Sequence, residues 1–203
     1  MTNAPAPDAR RFAPATLRNR EAILAVLRRH LPARGLVLEV ASGSGEHVLH
    51  FAAGLPGLVF QPSDRDAEAR ASIDAWTAEA PNIRRAIALD AAAAAWPIAA
   101  AEAVLCINMI HIAPWAAAEG LFRGAARLLP PGGKLVLYGP FRRGGAHTAP
   151  GNTAFDEALR AQDPAWGVRD LEAVAAAAAA CGFAPPVIEP MPANNLVLVL
   201  AYE

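Results

Sequence analysis

Cysteine and lysine are nearly absent from this chain of 203 residues. Its two cysteines, Cys106 and Cys181, lie in apolar segments, which indicates a reducing compartment and gives no support for a disulfide scaffold. Lysine occurs once, at Lys134, beside 17 arginines, and the formal net charge is −1. Because a broad basic field is missing, we expect no nucleic-acid partner.

Long hydrophobic runs are missing as well. The longest uncharged stretches, 47–63, 103–118 and 173–188, have only 16 or 17 residues each, and residues 1–11 lack the apolar core of a signal peptide. We therefore expect a cytoplasmic location with no membrane partner. The length predicts a single domain over residues 1–203. Its hydrophobic fraction of 54% includes 50 alanines, so fewer large side chains must form the core.

Short apolar runs alternate with helix-like segments along most of the chain. Such alternation predicts a mostly parallel sheet that is covered by helices on both faces. The predicted fold class is therefore α/β, a Rossmann-like three-layer sandwich with a seven-stranded, mostly parallel sheet. After an N-terminal arm and helix over 1–31, we predict strands at 36–41, 58–61, 83–89, 103–109 and 134–138, and helices at 46–54, 66–79 and 114–129.

The C-terminal part departs from this rhythm. We predict a long loop over residues 139–168, with a short helix at 153–161, that closes over a site as a lid. After a helix at 170–182, the last two strands, at 186–189 and 195–202, are separated by too few residues for a crossover helix. One strand near the C-terminus must therefore be antiparallel.

A strand, a glycine turn and a helix start follow one another at residues 36–47. Gly43 and Gly45, on either side of Ser44, allow a sharp turn and a close approach of a ligand to the backbone. Amide groups at the following helix start can face a polar ligand. Glu39 lies within the strand, where a buried carboxylate is costly unless a cation compensates it.

This acid, followed by glycines four and six residues later, resembles the first motif of class I methyltransferases that use S-adenosylmethionine (SAM). The resemblance implies SAM as the cofactor and extends down the chain in order. It implies that Asp64, at the end of the second strand, binds the ribose. The neighbouring Arg65 either lies along the adenine or is a surface arginine. The resemblance also implies that Asp90 lies near the adenine amino group and that Asn108 lies beside the methionine part.

A narrower resemblance rests on three segments. They are Ala-Ser-Gly-Ser-Gly-Glu-His at 41–47, Gln-Pro-Ser-Asp at 61–64 and Asn-Met-Ile-His-Ile-Ala-Pro-Trp at 108–115. These segments resemble an uncharacterised methyltransferase-like family that includes methyltransferase-like protein 26. That family implies the same fold and cofactor, and it implies no particular methyl acceptor.

Two side chains are candidates for catalysis. His111 follows the fourth strand, where an imidazole is suited to general-base work near neutral pH. The alternatives are a histidine that bonds to the turn at Pro114 or that forms a pocket wall. Tyr138 either points its hydroxyl into an acceptor site or packs in the core. His47 and His50 share a helix face, but no third ligand is near them, so no metal is expected.

The predicted function is methyl transfer from SAM to a small-molecule acceptor, with the protein supplying alignment and a dry site. The sequence names neither the acceptor nor the oligomeric state. A SAM-binding regulatory protein without turnover is one alternative. A nicotinamide-dependent oxidoreductase is another, but Val48 replaces the third glycine of the dinucleotide fingerprint and Glu39 has no role there.

Overall fold

A computed structural model describes residues 8–203 of the chain, so residues 1–7 of the predicted arm lie outside the described residues. Within this range, no helix has the length and apolar character that a bilayer crossing requires. The α-helices are α1 (Pro14–His30), α2 (Glu46–Gly54), α3 (Ala67–Thr77), α4 (Trp115–Leu128), α5 (Pro150–Gln162) and α6 (Leu171–Ala179). Short 3-10 helices span Met109–His111 and Pro192–Asn194. The strands are β1 (Gly35–Val40), β2 (Leu58–Asp64), β3 (Ile87–Ala88), β4 (Ala103–Ile107), β5 (Lys134–Arg143), β6 (Ala146–His147), β7 (Arg169–Asp170), β8 (Val187–Met191) and β9 (Asn195–Ala201).

Seven of these strands form an open sheet in the order β3-β2-β1-β4-β5-β9-β8. The first five strands in this order are mutually parallel, and β9 is antiparallel to both of its neighbours. The predicted Rossmann-like fold and its single reversed strand in this sheet are therefore confirmed. Two short strands that the sequence did not indicate, β6 and β7, pair with the far end of β5. The strand order reverses between β1 and β4, which is where doubly wound sheets place their ligand cleft.

Two apolar cores lie on opposite faces of the sheet. Successive side chains of a strand point to opposite faces, so Val37 of β1 packs under α1, α2 and α3, whereas Leu38 packs under α4 and α6. The largest fully buried side chains are divided between the two faces, with Phe51 and Phe60 on the first and Phe122 and Phe141 on the second.

The crossover between β3 and β4, residues 89–102, covers its face of the sheet without forming a helix. It lies directly on α4, because α4 presents glycines where the chain passes. A Cβ on Gly120 would lie 2.2 Å from the carbonyl oxygen of Ala91, and one on Gly124 would lie 2.2 Å from the ring of Trp96. No side chain fits at either position.

The strand predicted at 83–89 is much shorter in the structure, where β3 covers only Ile87–Ala88. The Ala86 amide donates to a carboxylate oxygen of Asp74 in α3, at 2.8 Å, instead of joining the ladder with β2. A side-chain acceptor on the neighbouring helix therefore delays the start of this strand.

The loop predicted at 139–168 is mostly regular structure. β5 continues to Arg143, because its far end is buried; Phe141, for example, has no exposed surface. The helix predicted at 153–161 is longer and spans Pro150–Gln162. The sequence prediction of a loop was therefore wrong at residues 139–143, 146–147, 150–152 and 162.

Residues 11–13, the described end of the predicted arm, are tied to α3 and to the start of α2. The amide of Arg11 donates to the Ser72 hydroxyl at 2.8 Å, and its carbonyl accepts from the Trp76 indole at 2.8 Å. The Ala13 amide donates to the Glu46 carboxylate at 2.6 Å. These bonds fix the position from which α1 starts.

The contact of α4 with the crossover yields a test with a matched control. We expect Gly120→Ala to lower the free energy of unfolding by about 2 kcal/mol, because the new methyl meets backbone rather than a flexible side chain. A Cβ on Gly151 of α5 meets nothing within 4 Å, so Gly151→Ala should raise stability by about 0.5 kcal/mol. Urea denaturation measures both. Equal stability of the two variants would contradict this packing.

Candidate functional site

The turn after β1 is built from left-handed backbone. Ala41, Gly43 and Gly45 have φ angles of 58°, 60° and 94°. An alanine in this region costs on the order of 1 kcal/mol, so the surrounding structure enforces the turn at Ala41. A Cβ on Gly43 would meet nothing within 4 Å, whereas one on Gly45 would lie 2.7 Å from the Cα of Ile73. Gly43 therefore borders open space, and Gly45 lets α2 begin against α3.

Asp64, at the end of β2, holds this turn in place. One of its carboxylate oxygens accepts from the Gly43 amide at 3.1 Å, and the other accepts from the Asp66 amide at 3.0 Å. The Ser42 amide adds a bond to the Ser63 carbonyl at 2.9 Å. The turn after β1 and the end of β2 therefore form one hydrogen-bonded edge.

A cavity of about 500 Å³ lies above this edge, across the carboxyl ends of β1, β2 and β4; we name it the β1–β2 cavity. Four of the predicted cofactor residues line it, namely Gly43, Asp64, Arg65 and Asp90. The rest of its wall is mostly apolar and comes from Val40, Ala41, Leu89, Ala91, Ile107, Met109, Ile112, Ala113, Pro114, Ala117, Asp163 and Trp166. Such a wall, with few polar groups, is typical of a small-molecule site.

Three other predicted cofactor residues, Glu39, Ser44 and Gly45, do not line this cavity. The Ser44 hydroxyl donates to the Glu46 carboxylate at 3.0 Å, and the Ser44 carbonyl accepts from the Ser72 hydroxyl at 2.7 Å. Ser44 and Gly45 therefore shape the turn and join it to the helices behind it.

Glu39 is buried within the sheet, with 1% of its surface exposed. Desolvation raises the pKa of this carboxyl to about 7; a hydrogen bond with Ser42 opposes the rise, and the charge of Asp64 adds to it. No group among residues 8–203 bonds to its Oε2 atom, and no arginine there pairs with it. The carboxylate is therefore uncompensated within the described protein.

A second cavity, of about 440 Å³, lies beside the end of β4 and the middle of β5; we name it the β4–β5 cavity. Asn108, just after β4, and Tyr138, within β5, line it, and α1, α5 and the segment 192–195 surround it. Asn108 has a φ of 61°, and its amide donates to the Tyr138 carbonyl at 2.8 Å. Since Ile107 and Met109 line the β1–β2 cavity, the two cavities lie on either side of this left-handed residue.

Tyr138 is 4% exposed and packs against the core beneath α1 and α2. Desolvation raises the pKa of its phenol, while a hydrogen bond with Asn19 and the charge of Arg18 act in the opposite direction. The residue therefore packs in the core and also lines a cavity, and its hydroxyl's role toward an acceptor stays a prediction.

His111 is completely buried, and burial lowers the pKa of its imidazole to about 3. Its Nδ1 atom accepts from the Arg169 amide at 3.2 Å, so a neutral ring carries its proton on Nε2. No described residue bonds to Nε2, which faces Gly139 so closely that a Cβ there would lie 2.4 Å away. In this arrangement the ring is a hydrogen-bond donor, and its predicted role as a general base requires the contact with Arg169 to open.

Residues that the sequence analysis did not select hold this histidine in place. Arg169 donates from its guanidinium to the carbonyls of Ile110 and Ala113, at 2.8 and 2.6 Å, and lies 5.7 Å from the Trp115 ring centroid. Trp166, from the same segment, lines the β1–β2 cavity. No local pattern marks these residues, because they act across long sequence separations.

The two histidines of α2 contact side chains of α1, His47 through Asn19 and His50 through Glu21. The Nε2 atom of His47 bonds to the Asn19 side-chain oxygen at 2.8 Å, and burial lowers the pKa of this imidazole to about 4. Among residues 8–203, no three side chains of His, Cys, Asp or Glu lie close enough together to hold a metal ion.

Comparison with known proteins places this arrangement in a family. Residues 10–201 match the family described as "Protein of unknown function (DUF938)". The chain belongs to this family. The match covers both cavities and every strand of the sheet.

The chain also resembles solved methyltransferase structures at low sequence identity. One is an O-methyltransferase family 2 protein from Planctomyces limnophilus in complex with apigenin (20% identity, TM-score 0.77, covering 93% of this chain and 58% of that one). Another is an O-methyltransferase family protein from Burkholderia thailandensis (16%, 0.76, 93% and 57%). A third is human N-acetylserotonin methyltransferase in complex with SAM (14%, 0.71, 90% and 54%). The chain spans about half the length of these proteins, and the likeness shows their common fold.

The buried carboxyl of Glu39 predicts an unusual dependence of stability on pH. Its pKa is about 7 in the folded chain and 4.5 in the reference state, so the folded state holds the proton more tightly. The contribution of Glu39 to stability is therefore lost as pH rises from about 4.5 to about 7. We expect Glu39→Gln to stabilise the protein by on the order of 2 kcal/mol more at about pH 8 than at about pH 4.5. Urea denaturation at both values measures this, and a difference that does not change with pH would contradict it.

The environment of His111 predicts its protonation state. We expect the ring to stay neutral between about pH 5 and 8, with its proton on Nε2, because burial lowers its pKa to about 3. Nitrogen-15 chemical shifts of the imidazole measure both properties, and the loss of these signals in His111→Asn assigns them. A titration midpoint near about 6.5, or a proton on Nδ1, would contradict the arrangement.

Proposed function

We propose that the chain is a SAM-dependent methyltransferase that acts on a small molecule, with SAM in the β1–β2 cavity and the acceptor in the β4–β5 cavity. One observation carries this proposal: two cavities flank Asn108 at the end of β4, and carboxylates at successive strand ends line one of them. Methyl transfer needs two ligands whose reacting atoms are held in line, and cavities on either side of one residue bring two ligands to the same strand end.

The proposed cofactor contacts follow from the walls of the β1–β2 cavity. Asp64 uses each carboxylate oxygen once for a backbone amide, and each oxygen retains a lone pair for a ribose hydroxyl. Asp90, whose carboxylate also accepts from the Ala92 amide at 2.9 Å, is suited to the adenine amino group. Gly43 lets the ligand approach the backbone, and the exposed Arg65 is available to lie along the adenine.

Glu39 has an indirect role in this proposal. It does not line the cavity, but a buried carboxylate without a bonded cation favours positive charge nearby, because the interior screens charge weakly. SAM carries a sulfonium and an α-ammonium group. We therefore assign Glu39 to electrostatic support of the cofactor, and Ser44 and Gly45 to the shape of the turn.

The acceptor side rests on Asn108 and Tyr138, which line the β4–β5 cavity. The nucleophilic atom of the acceptor gains the methyl group as the carbon–sulfur bond of SAM breaks, and the released proton needs an acceptor when the nucleophile carries one. We assign Tyr138 to a hydrogen bond with the nucleophile. His111 is kept as the proposed base, after its contact with Arg169 has opened.

The solved relatives support this proposal, since they include a methyltransferase in complex with SAM and an O-methyltransferase family protein in complex with the small molecule apigenin. The motifs at 41–47, 61–64 and 108–115 support a narrower kinship with methyltransferase-like protein 26.

We also propose one domain over residues 1–203, in which the N-terminal segment and residues 139–168 act as lids. A cytoplasmic location without a nucleic-acid partner completes the proposal.

One observation favours a second candidate, a SAM-binding protein without turnover. His111, the predicted base, is buried and bonded through Nδ1, so this imidazole is not positioned to remove a proton from an acceptor in this conformation. This candidate shares the cofactor site with the first and differs only in lacking methyl transfer.

Calorimetry with SAM and with S-adenosylhomocysteine tests the proposed function. We expect both to bind, and Asp64→Asn to weaken binding at least tenfold, because the variant loses the charge that attracts the ribose hydroxyls. Glu68→Gln is the control: it removes a charge nearby on α3, where the side chain pairs with Arg11 and is outside the cavity. Absence of binding by both compounds would overturn the proposal.

A further inference from the structure

The β4–β5 cavity carries a charge pattern that limits what it can bind. Arg18 is the one charged residue among those that line it, and no aspartate or glutamate is among them. Other arginines of the N-terminal region have partners: Arg11 bonds to Asp66 at 3.0 Å, and Arg29 bonds to Glu189 at 2.9 Å. Arg18 forms no ion pair or side-chain hydrogen bond within residues 8–203. The cavity therefore offers one uncompensated positive charge.

Two carboxamides supply hydrogen-bond acceptors to the same cavity. The Asn152 amide nitrogen is used by the protein, since it donates to the Thr148 hydroxyl and to the Asn194 carbonyl, both at 3.1 Å. The Asn195 amide nitrogen likewise donates to the Pro192 carbonyl at 3.1 Å. Neither side-chain oxygen accepts a hydrogen bond within residues 8–203, so both are available to a ligand, and an amide oxygen binds a hydroxyl or amine donor.

Apart from Asn19 and Asn108, the remaining walls are mostly apolar and partly flat. The rings of Tyr138, Phe155 and Pro140 line the cavity, and Phe155 remains 39% exposed. Flat apolar walls favour a planar ligand, and a volume of about 440 Å³ accommodates one aromatic ring with its substituents.

We propose that the β4–β5 cavity selects a hydroxylated aromatic carboxylate, whose carboxylate pairs with Arg18 and whose hydroxyl donates to the carboxamide oxygens of Asn152 and Asn195. The inference rests on the function proposed above, because it names the substrate class of that same acceptor site. A guanidinium forms paired hydrogen bonds with a carboxylate, which gives orientation as well as attraction. SAM also carries a carboxylate, so the test separates the two possible partners of Arg18.

The binding of two matched probes tests the proposal. 4-Hydroxybenzoate and 4-hydroxybenzamide have nearly the same shape, and only the first is an anion. We measure their affinities for the full chain by calorimetry, with and without S-adenosylhomocysteine. Because Arg18 is exposed, we expect a modest preference of at least about fivefold for the acid. Benzoate should bind more weakly than 4-hydroxybenzoate, since it lacks the hydroxyl.

Two variants identify the residue responsible. Arg18→Gln should remove the preference for the acid and leave the affinity for SAM unchanged. Arg20→Gln removes the same charge from the same helix, but Arg20 does not line this cavity, so the preference should remain. Circular dichroism confirms that both variants are folded.

Each contrary outcome is informative. Equal binding of acid and amide, no binding of the acid, or an unchanged preference in Arg18→Gln would overturn the proposal. Weaker SAM binding in Arg18→Gln, with the acid unaffected, would assign Arg18 to the cofactor carboxylate and overturn it as well. If the wild-type chain binds the acid through Arg18 but does not bind SAM, the proposed methyltransferase function fails, while the ligand class of this cavity stands.

Discussion

The hydrogen bond between the Gly43 amide and the Asp64 carboxylate joins the two strand ends on which the candidate site is built. It holds a turn that the backbone would not adopt freely, because Ala41 lies in the left-handed region. With this turn held, β1 ends at Val40 and α2 starts five residues after Ala41. The space left above the turn is the β1–β2 cavity, and every ligand contact that we propose there depends on this geometry.

Most of the fold could be predicted from the sequence, because a buried strand of this sheet contains a run of apolar residues between turn residues. The parallel strands β1, β2 and β4 and the antiparallel strand β9 were recognised in this way. The failures came where a distant partner decides the conformation. Asp74 of α3 takes an amide that β3 would use, and burial of Phe141 continues β5 into a segment rich in glycine and arginine. Neither partner is visible in the local pattern.

Part of the candidate site could also be predicted from the order of the strands along the chain. Parallel strands bring their carboxyl ends to one edge, so Asp64 and Asp90 could be placed in one cleft from their order alone. The direction of a side chain could not be read in this way, and Glu39 proved to be buried away from the cavity wall. The contact between Arg169 and His111 joins residues 58 positions apart and follows only from the folded chain.

Gly120 and Gly124 leave one face of α4 without side chains, so the crossover from β3 to β4 packs directly against the helix backbone there. Residues 90–100 of this crossover form neither a helix nor a strand that would define their path. Its path follows the surface of the helix beneath it, and the aromatic ring of Trp96 packs directly against Gly124. Leu89, Asp90 and Ala91 belong both to the start of this segment and to the cavity wall. The surface of α4 at Gly120 and Gly124 therefore helps to set the position of the adenine side of the proposed cofactor site.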